Sequence, residues 1–352
     1  MKRNCTGRVI GGIAFLVLLA GGAFQVGCAS PNRGGGGGAA ALAPSRAAPL
    51  ADGSTGEPIA WEALVARAAE ADAVLIGELH GQPVGQAFLA AFMDDVLARA
   101  PGAAVALEFF ERDQQVALDD YLAGITAETA FREAAGRKSE SSYPFGHRAM
   151  VEASKRAGRP VIAANAPRRY VRLARTQGYE RLKSLPPEVS RLFRIPEAEP
   201  TGRYFDDFAG IMARGGRDEE PAKPGAEGAE GAEGAGGGGW GGGGGGLTDA
   251  QREAARATFR SQSLWDWTMG ESVARAIGPA DAERGRPVVL VVGAFHVSHD
   301  GGLVQALRHM NPSARVLRVI MVDQVEPKPL PERLKGVGDV IVWVGEQKSG
   351  GK

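Results

Sequence analysis

Short uninterrupted apolar runs punctuate the chain. Ala73-Val-Leu-Ile76, Ala103-Ala-Val-Ala-Leu107, Val161-Ile-Ala-Ala164 and Val288-Val-Leu-Val-Val292 have no polar alternation, and Arg315–Val322 and Asp339–Val344 are rich in β-branched residues. Runs of this length read as strands covered on both faces, which is the habit of parallel sheets. Between them the spacing turns helical. Trp61–Glu70 is a short Ala-rich helix, and Phe88, Leu89, Phe92, Met93, Val96 and Leu97 recur on one helical face. Residues 111–150 are helix-rich, Arg168–Leu185 is a helix, and Ala250–Ile277 is a long one with Phe259, Trp265, Met269, Val273 and Ala276 as its stripe. Strands alternating with helices predict an α/β fold, a mostly parallel sheet flanked by helices. The helices with no strand between them predict a small helical subdomain.

Composition alters the two ends and one internal stretch. The chain has 352 residues, with 41 basic and 41 acidic side chains, so global charge does not hold it to nucleic acid. Both cysteines, Cys5 and Cys28, fall in the first thirty residues, so the body has no disulfide, thiolate metal site or cysteine nucleophile. Lys2, Arg3 and Arg8 precede the apolar run Val9–Phe24, and small residues Gly27-Cys28-Ala29-Ser30 follow. That order describes a secretory signal over residues 1–27. A Cys at the cleavage point resembles a bacterial lipoprotein signal, with Cys28 lipidated; Gln25 departs from its usual Leu. Ala29 favours the outer membrane in a two-membrane bacterium. Residues 28–58, which include Gly34–Gly38, read as a flexible tether. Within the main domain, residues 59–325, the stretch 215–247 holds repeated Ala-Glu-Gly and glycine blocks around Trp240, a disordered insertion by composition. Residues 326–352 are a C-terminal strand and tail.

The predicted strands all end in polar residues. Glu78 and His80 follow the first, Glu108 the second, Asn165 with Arg168 and Arg169 the third, and His296 with His299 the fourth. Working residues of open parallel sheets gather outside the carboxyl ends of strands. Singly, each has a plain reading: Glu78 or His80 as a helix cap, Asn165 as a turn, Arg168 as a helix-start residue, His299 as an exposed side chain. Glu108 is the hardest to dismiss, because a carboxylate closing an apolar strand needs a partner. If the strands are neighbours, the set meets in one crevice, beside Gly77 and Gly293. Gln262 and Asp266, on or beside the apolar stripe of the long helix, call for specific partners too.

These residues carry a family resemblance. Gly77-Glu-Leu-His80, Leu107-Glu-Phe-Phe-Glu-Arg-Asp-Gln114 with Tyr121-Leu122, Val161-Ile-Ala-Ala-Asn-Ala-Pro-Arg168, Gln262 with Trp265-Asp266 and Met269, and Gly293-Ala-Phe-His296 occur in that order. The chain resembles the ChaN-like haem-binding uptake lipoproteins of the Tiki superfamily. The resemblance implies a parallel-rich α/β domain with a small helical domain. It also implies an outer-membrane lipoprotein that binds haem in a slot shared by two subunits, hence a homodimer on haem binding. In that arrangement a Tyr coordinates iron and cationic groups hold the propionates. Near position 147, where the family's recurrent aromatic is expected, this chain has His147, with Tyr143 four residues earlier. Either is a candidate iron ligand, with Tyr170 and Tyr204 behind them. Arg168, Arg169, Arg172 and Lys155 are propionate candidates.

Two functions follow. The first is a lipid-anchored haem-binding protein of the cell envelope, in haem or iron uptake, with haem as cofactor and partner. The second, drawn from the wider superfamily, is a metal-dependent hydrolase, protease or esterase-like. In it Glu78, His80, Glu108 and His296 hold a divalent metal such as Zn, Mn or Co, or act as general base on water. Asn165 and Arg168 then steady a developing oxyanion. Binding has the stronger claim of the two, and whether the chain is an enzyme stays open.

Overall fold

A computed structural model describes residues 42–215, 248–278, 286–326 and 328–346. The expected signal peptide, Cys28 and nearly all of the glycine-rich insertion with Trp240 lie outside the described residues.

Each apolar run became a strand. They are β2 (Ala73–Glu78), β3 (Ala104–Glu111), β4 (Val161–Asn165), β5 (Val288–Gly293), β6 (Val316–Val322) and β7 (Val340–Trp343). A further strand, β1 (Leu50–Asp52), joins them. The sheet runs β1-β7-β6-β2-β5-β3-β4, with only β1 antiparallel to its neighbour. Every residue of β2 is buried, and so is all of β5 up to Gly293. Successive side chains alternate sides, so both faces of the sheet centre are covered.

β1 corrects the expected tether. Leu50–Asp52 pairs with Val340–Val342, and Arg46 makes two hydrogen bonds of 2.7 Å to Asp95. The segment just before residue 58 is therefore part of the domain, because the edge of β7 needs a partner for its backbone groups.

The helices are α1 (Trp61–Glu70), α2 (Pro83–Arg99), α3 (Gln115–Leu122), α4 (Glu128–Ala134), α5 (Phe145–Arg156), α6 (Arg168–Lys183), α7 (Pro187–Ser190), α8 (Tyr204–Gly215), α9 (Asp249–Ile277) and α10 (Gly302–Met310). None is long and apolar enough to cross a membrane among the described residues. α2 packs on α1 and α5, with Trp61 edge-on to Phe88 at 5.3 Å. α9 packs on α6, α8 and α10 and lies along β3, β4 and β5. It starts in a reciprocal capping box between Thr248 and Gln251 and ends at Gly278.

The helical region has its own small apolar clusters beside the main core. One gathers Val171, Ala174, Leu182, Phe193 and Leu264; the other gathers Tyr204, Phe208, Ala255 and Phe259. These satellites seat α6, α7 and α8 on the first half of α9. The same helix then continues into the main core through Met269, Val273 and Ile277. α9 is thus the beam joining the helical layer to the sheet.

Candidate functional site

β5 lies between β2 and β3, so the carboxyl ends of three strands stand side by side. Glu78 of β2 is in register with Gly293 of β5, and Leu107 of β3 with Val291. Just past Leu107 the pairing with β4 slips, resuming at Glu111 opposite Asn165. Such a bulge re-aims side chains. Here it frees Glu108 to turn to β5, where Oε2 accepts the Gly293 N–H at 2.7 Å. After Gly293 a single turn, Ala294–His296, carries His296 back over the sheet edge. A Cβ on Gly77 would lie 2.9 Å from Ala294 Cα, so that turn can sit on β2 only over a glycine. A Cβ on Gly293 would lie 3.3 Å from His80 Nε2 and 3.7 Å from His296 Cδ2, which puts both imidazoles at Gly293.

Glu78 anchors the first half of the cluster. Its Oε1 is 3.0 Å from His80 Nδ1 and 2.8 Å from His147 Nε2, and its Oε2 accepts from Gln86 Nε2 at 3.0 Å. Gln86 Oε1 accepts the Gly146 N–H at 2.8 Å, locking the start of α5 against α2. Burial alone would raise the Glu78 pKa, but His147 and His80 outweigh it and hold the carboxyl well below the usual range. An ionised Glu78 can only accept, so His80 Nδ1 carries the proton of their bond. The His80 side chain is 26% exposed, whereas His147 is completely buried. Despite the short approach to Glu78, neither ring nitrogen of His147 has an aligned hydrogen bond. Phe109 stands edge-on to both rings, at 5.3 Å from His80 and 4.3 Å from His147.

His296 anchors the second half. Its Nδ1 is 2.6 Å from Asp266 Oδ1 and its Nε2 is 3.5 Å from Glu108 Oε1. Tyr204 donates to Asp266 Oδ2 at 2.8 Å, and Gln262 donates to the Tyr204 oxygen at 2.9 Å while lying 3.0 Å from His296 Nδ1. Burial by itself would discharge His296, yet the Asp266 and Glu108 carboxylates push its pKa up to about 10. Burial would likewise raise Glu108, but His296, His80 and the Gly293 amide bring it down to about 2. Burial raises Asp266 against the pull of His296, and burial followed by Asp266 raises the Tyr204 phenol. At neutral pH His296 is an imidazolium clamped between two acids.

Chemically, two carboxylate–imidazole units meet at Gly293. His80, oriented by Glu78 and partly open to water, has the form of a general base. His296 is a fixed positive charge that can donate a proton or face a developing negative charge.

The other expected residues sit elsewhere. Asn165 is buried at the end of β4, where its Oδ1 accepts the Ala166 N–H at 2.9 Å, a turn bond. Arg168 lies 3.7 Å from Glu111, and Arg169 is held by Asp113 at 2.5 Å. Tyr143 is wholly buried between Phe110 and Phe131, its hydroxyl has no partner, and burial pushes its phenol pKa up. Glu78 with His80 and Glu108 with His296, the set expected to hold a divalent metal, stand as two carboxylate–imidazole pairs. Among the described residues, no group of three or more His, Cys, Asp or Glu side chains is disposed to hold a metal ion.

Gln86 and Tyr204 were not foreseen in these roles. Gln86 had a weak signal, a lone amide in the otherwise apolar stretch Pro83–Met93, and Tyr204, named only as a further candidate iron ligand, had none for a bond to Asp266. A cavity of about 170 Å³, lined by Thr201, Ser263, Trp267, Gln305 and His309, also reaches Asp266.

Comparison with known proteins gives one family and several folds. A family model described as haem-binding uptake, Tiki superfamily, ChaN matches residues 64–307, more than half of the chain. No curated protein matches. The ChaN structure of Campylobacter jejuni, solved with cofacial haem, is 14% identical, with a TM-score of 0.58 over 86% of this chain and 98% of that one. The type III effector HopBA1 is 12% identical, with a TM-score of 0.42 over 82% and 93% of the two chains. A mutant erythromycin esterase EreC in its open conformation is 12% identical, with a TM-score of 0.41 over 78% and 77%.

Proposed function

The chain belongs to the ChaN haem-binding uptake family of the Tiki superfamily, and from that premise we propose that it is a haem-binding protein of the cell envelope. The observation that carries this reading is the family match over residues 64–307. In this reading Cys28 carries the lipid, the outer membrane of a two-membrane bacterium is the site, uptake of haem or iron is the role, and two copies share the haem.

The donor chemistry of the described residues fits haem. His147 Nδ1 and the Tyr143 hydroxyl are buried without a hydrogen-bond partner, while His147 Nε2 faces Glu78. Orphaned polar atoms of this kind call for a missing partner. The Arg137 guanidinium lies 5.6 Å from the centre of the Phe109 ring, an aromatic face with a cation beside it. His147 or Tyr143 would hold the iron, and Arg137, Arg168 and Arg169 would face the propionates. Bound haem would supply a ferric centre able to take one further ligand. Both candidate ligands are enclosed, His147 beside Glu78 and Phe109 and Tyr143 beside Phe110 and Phe131, so haem would reach them only after these neighbours move.

Titrating ferric haem into the protein from Leu42 onward, which holds every described element, tests the reading. A saturable Soret shift is expected, and its absence refutes haem binding. Tyr143→Phe and His147→Ala, made separately, identify the ligand by which one abolishes the shift. Palmitate labelling lost in full-length Cys28→Ala tests the anchor.

One observation favours a second reading. The strand-end acids and imidazoles are more than haem chemistry needs, and they suit the hydrolase reading, in which the cluster acts on water. His80 would take the proton of an attacking water, and His296 would face the oxyanion. Turnover of a chromogenic ester that falls by about two orders of magnitude or more in His80→Ala supports it. Equal rates in wild type and variant refute it.

A further inference from the structure

The charge of this chain cancels overall but not locally. α6 carries six basic side chains, Arg168, Arg169, Arg172, Arg175, Arg181 and Lys183, against the single acid Glu180. Its apolar side, Val171, Ala174 and Leu182, is spent on the cluster shared with α9. The helix breaks at Gly178, where φ is 77°, so Arg168, Arg169, Arg172 and Arg175 share the turns before the break and Arg181 and Lys183 stand beyond it; all six are exposed. Arg168, Arg172 and Arg175 follow one another at spacings of four and three, which stacks them in one stripe about 10 Å long.

Several arginines elsewhere meet carboxylates, among them Arg46 with Asp95, Arg148 with Glu128 and Arg315 with Asp72. Arg168 and Arg169 have Glu111 and Asp113 near them, but among the described residues no carboxylate stands within ion-pair distance of Arg172 or Arg175. Like charges one helical turn apart destabilise a helix unless something negative lies opposite.

We propose that the outer face of α6, centred on Arg172 and Arg175, rests on an anionic phospholipid surface. The partner is a plane of negative headgroups because the exposed side of α6 is predominantly cationic, with Arg172 and Arg175 unneutralised among the described residues, and its apolar side is spent on α9. Attraction is then electrostatic, adds up arginine by arginine and fades with salt. The attraction needs no lipid on the protein.

The test uses the protein from Leu42 onward with sedimented vesicles of phosphatidylcholine, with and without phosphatidylglycerol. Binding is expected to the mixed vesicles alone and to be lost at high salt. R172Q/R175Q should weaken it about tenfold or more. R99Q/R333Q, which removes the same charge from exposed positions elsewhere, should change it by less than about threefold. No binding to the anionic vesicles overturns the proposal. Equal binding to pure phosphatidylcholine overturns it as well, and equal losses in the two double variants reduce the attraction to net charge and refute the α6 face. Unchanged thermal unfolding of both variants shows that the fold is intact.

Discussion

His296 should make the protein weaker in mild alkali, by an amount that its surroundings set. The ring is 9% exposed and lies between Asp266 and Glu108, which raise its pKa to about 10 from an ordinary 6.5. A raised folded-state value means the folded protein holds a proton that the unfolded chain has released. The resulting stability is complete below about pH 6.5 and disappears as pH rises through about 10. Across the interval the slope is about 1.36 kcal/mol per pH unit. From pH 7 to 9 the unfolding free energy should fall by about 2.5 kcal/mol on account of this group alone. Urea titrations at pH 7, 8 and 9 measure it directly. His296→Gln cannot carry the proton, so its slope should be flatter by the same amount, although its stability at pH 7 is lower because two buried acids lose their cation. Equal slopes in the two proteins would refute the reasoning. So would histidine NMR in which no buried ring remains protonated at pH 9.

Other perturbations probe the neighbouring contacts. Glu108, depressed to about 2, contributes stability above its ordinary 4.5 that is lost as pH falls toward 2. Glu108→Gln should accordingly show an acid transition shallower by about 3 kcal/mol in the same titrations. Gln86→Leu leaves Glu78 and the Gly146 amide without their shared partner, and a loss of about 1–3 kcal/mol per abandoned group is expected from denaturant midpoints. A methyl on Gly302 would collide with the Asp266 carboxylate and the Tyr204 ring. Gly302→Ala should cost about 1–3 kcal/mol and weaken the alkaline slope, because it pushes Asp266 off His296.

Much of this molecule was legible in its pattern. The strands of the sheet centre announced themselves because burial on both faces allows no polar interruption. Leu50–Asp52 escaped because three residues, one of them acidic, are too few to show a period. β3 was read as ending at Leu107, although it runs to Glu111, because a bulge lets a strand continue through a carboxylate. Glu78, His80, Glu108 and His296 were legible as a group because each follows an apolar run and neighbouring strands bring their ends level. Asn165, Arg168 and Arg169 share that edge in the sequence, yet two of them have local acids and the first a local turn. No spacing rule could show that. Gln262 and Asp266 were conspicuous as polar residues on an apolar stripe. Tyr204, which completes their network, comes from another helix, and only tertiary packing pairs it with Asp266.

The pairing of β1 with β7 ties the order of synthesis to the closing of the sheet. Leu50–Asp52 leaves the ribosome early, but the residues that receive it, Val340–Val342, are among the last to be made. The barrier edge therefore stays raw until translation is nearly over, and a chain cut short before Val340 strands an element at each end instead of one. Completion is postponed to the final turn of assembly, which keeps the polypeptide threadable for almost its whole length.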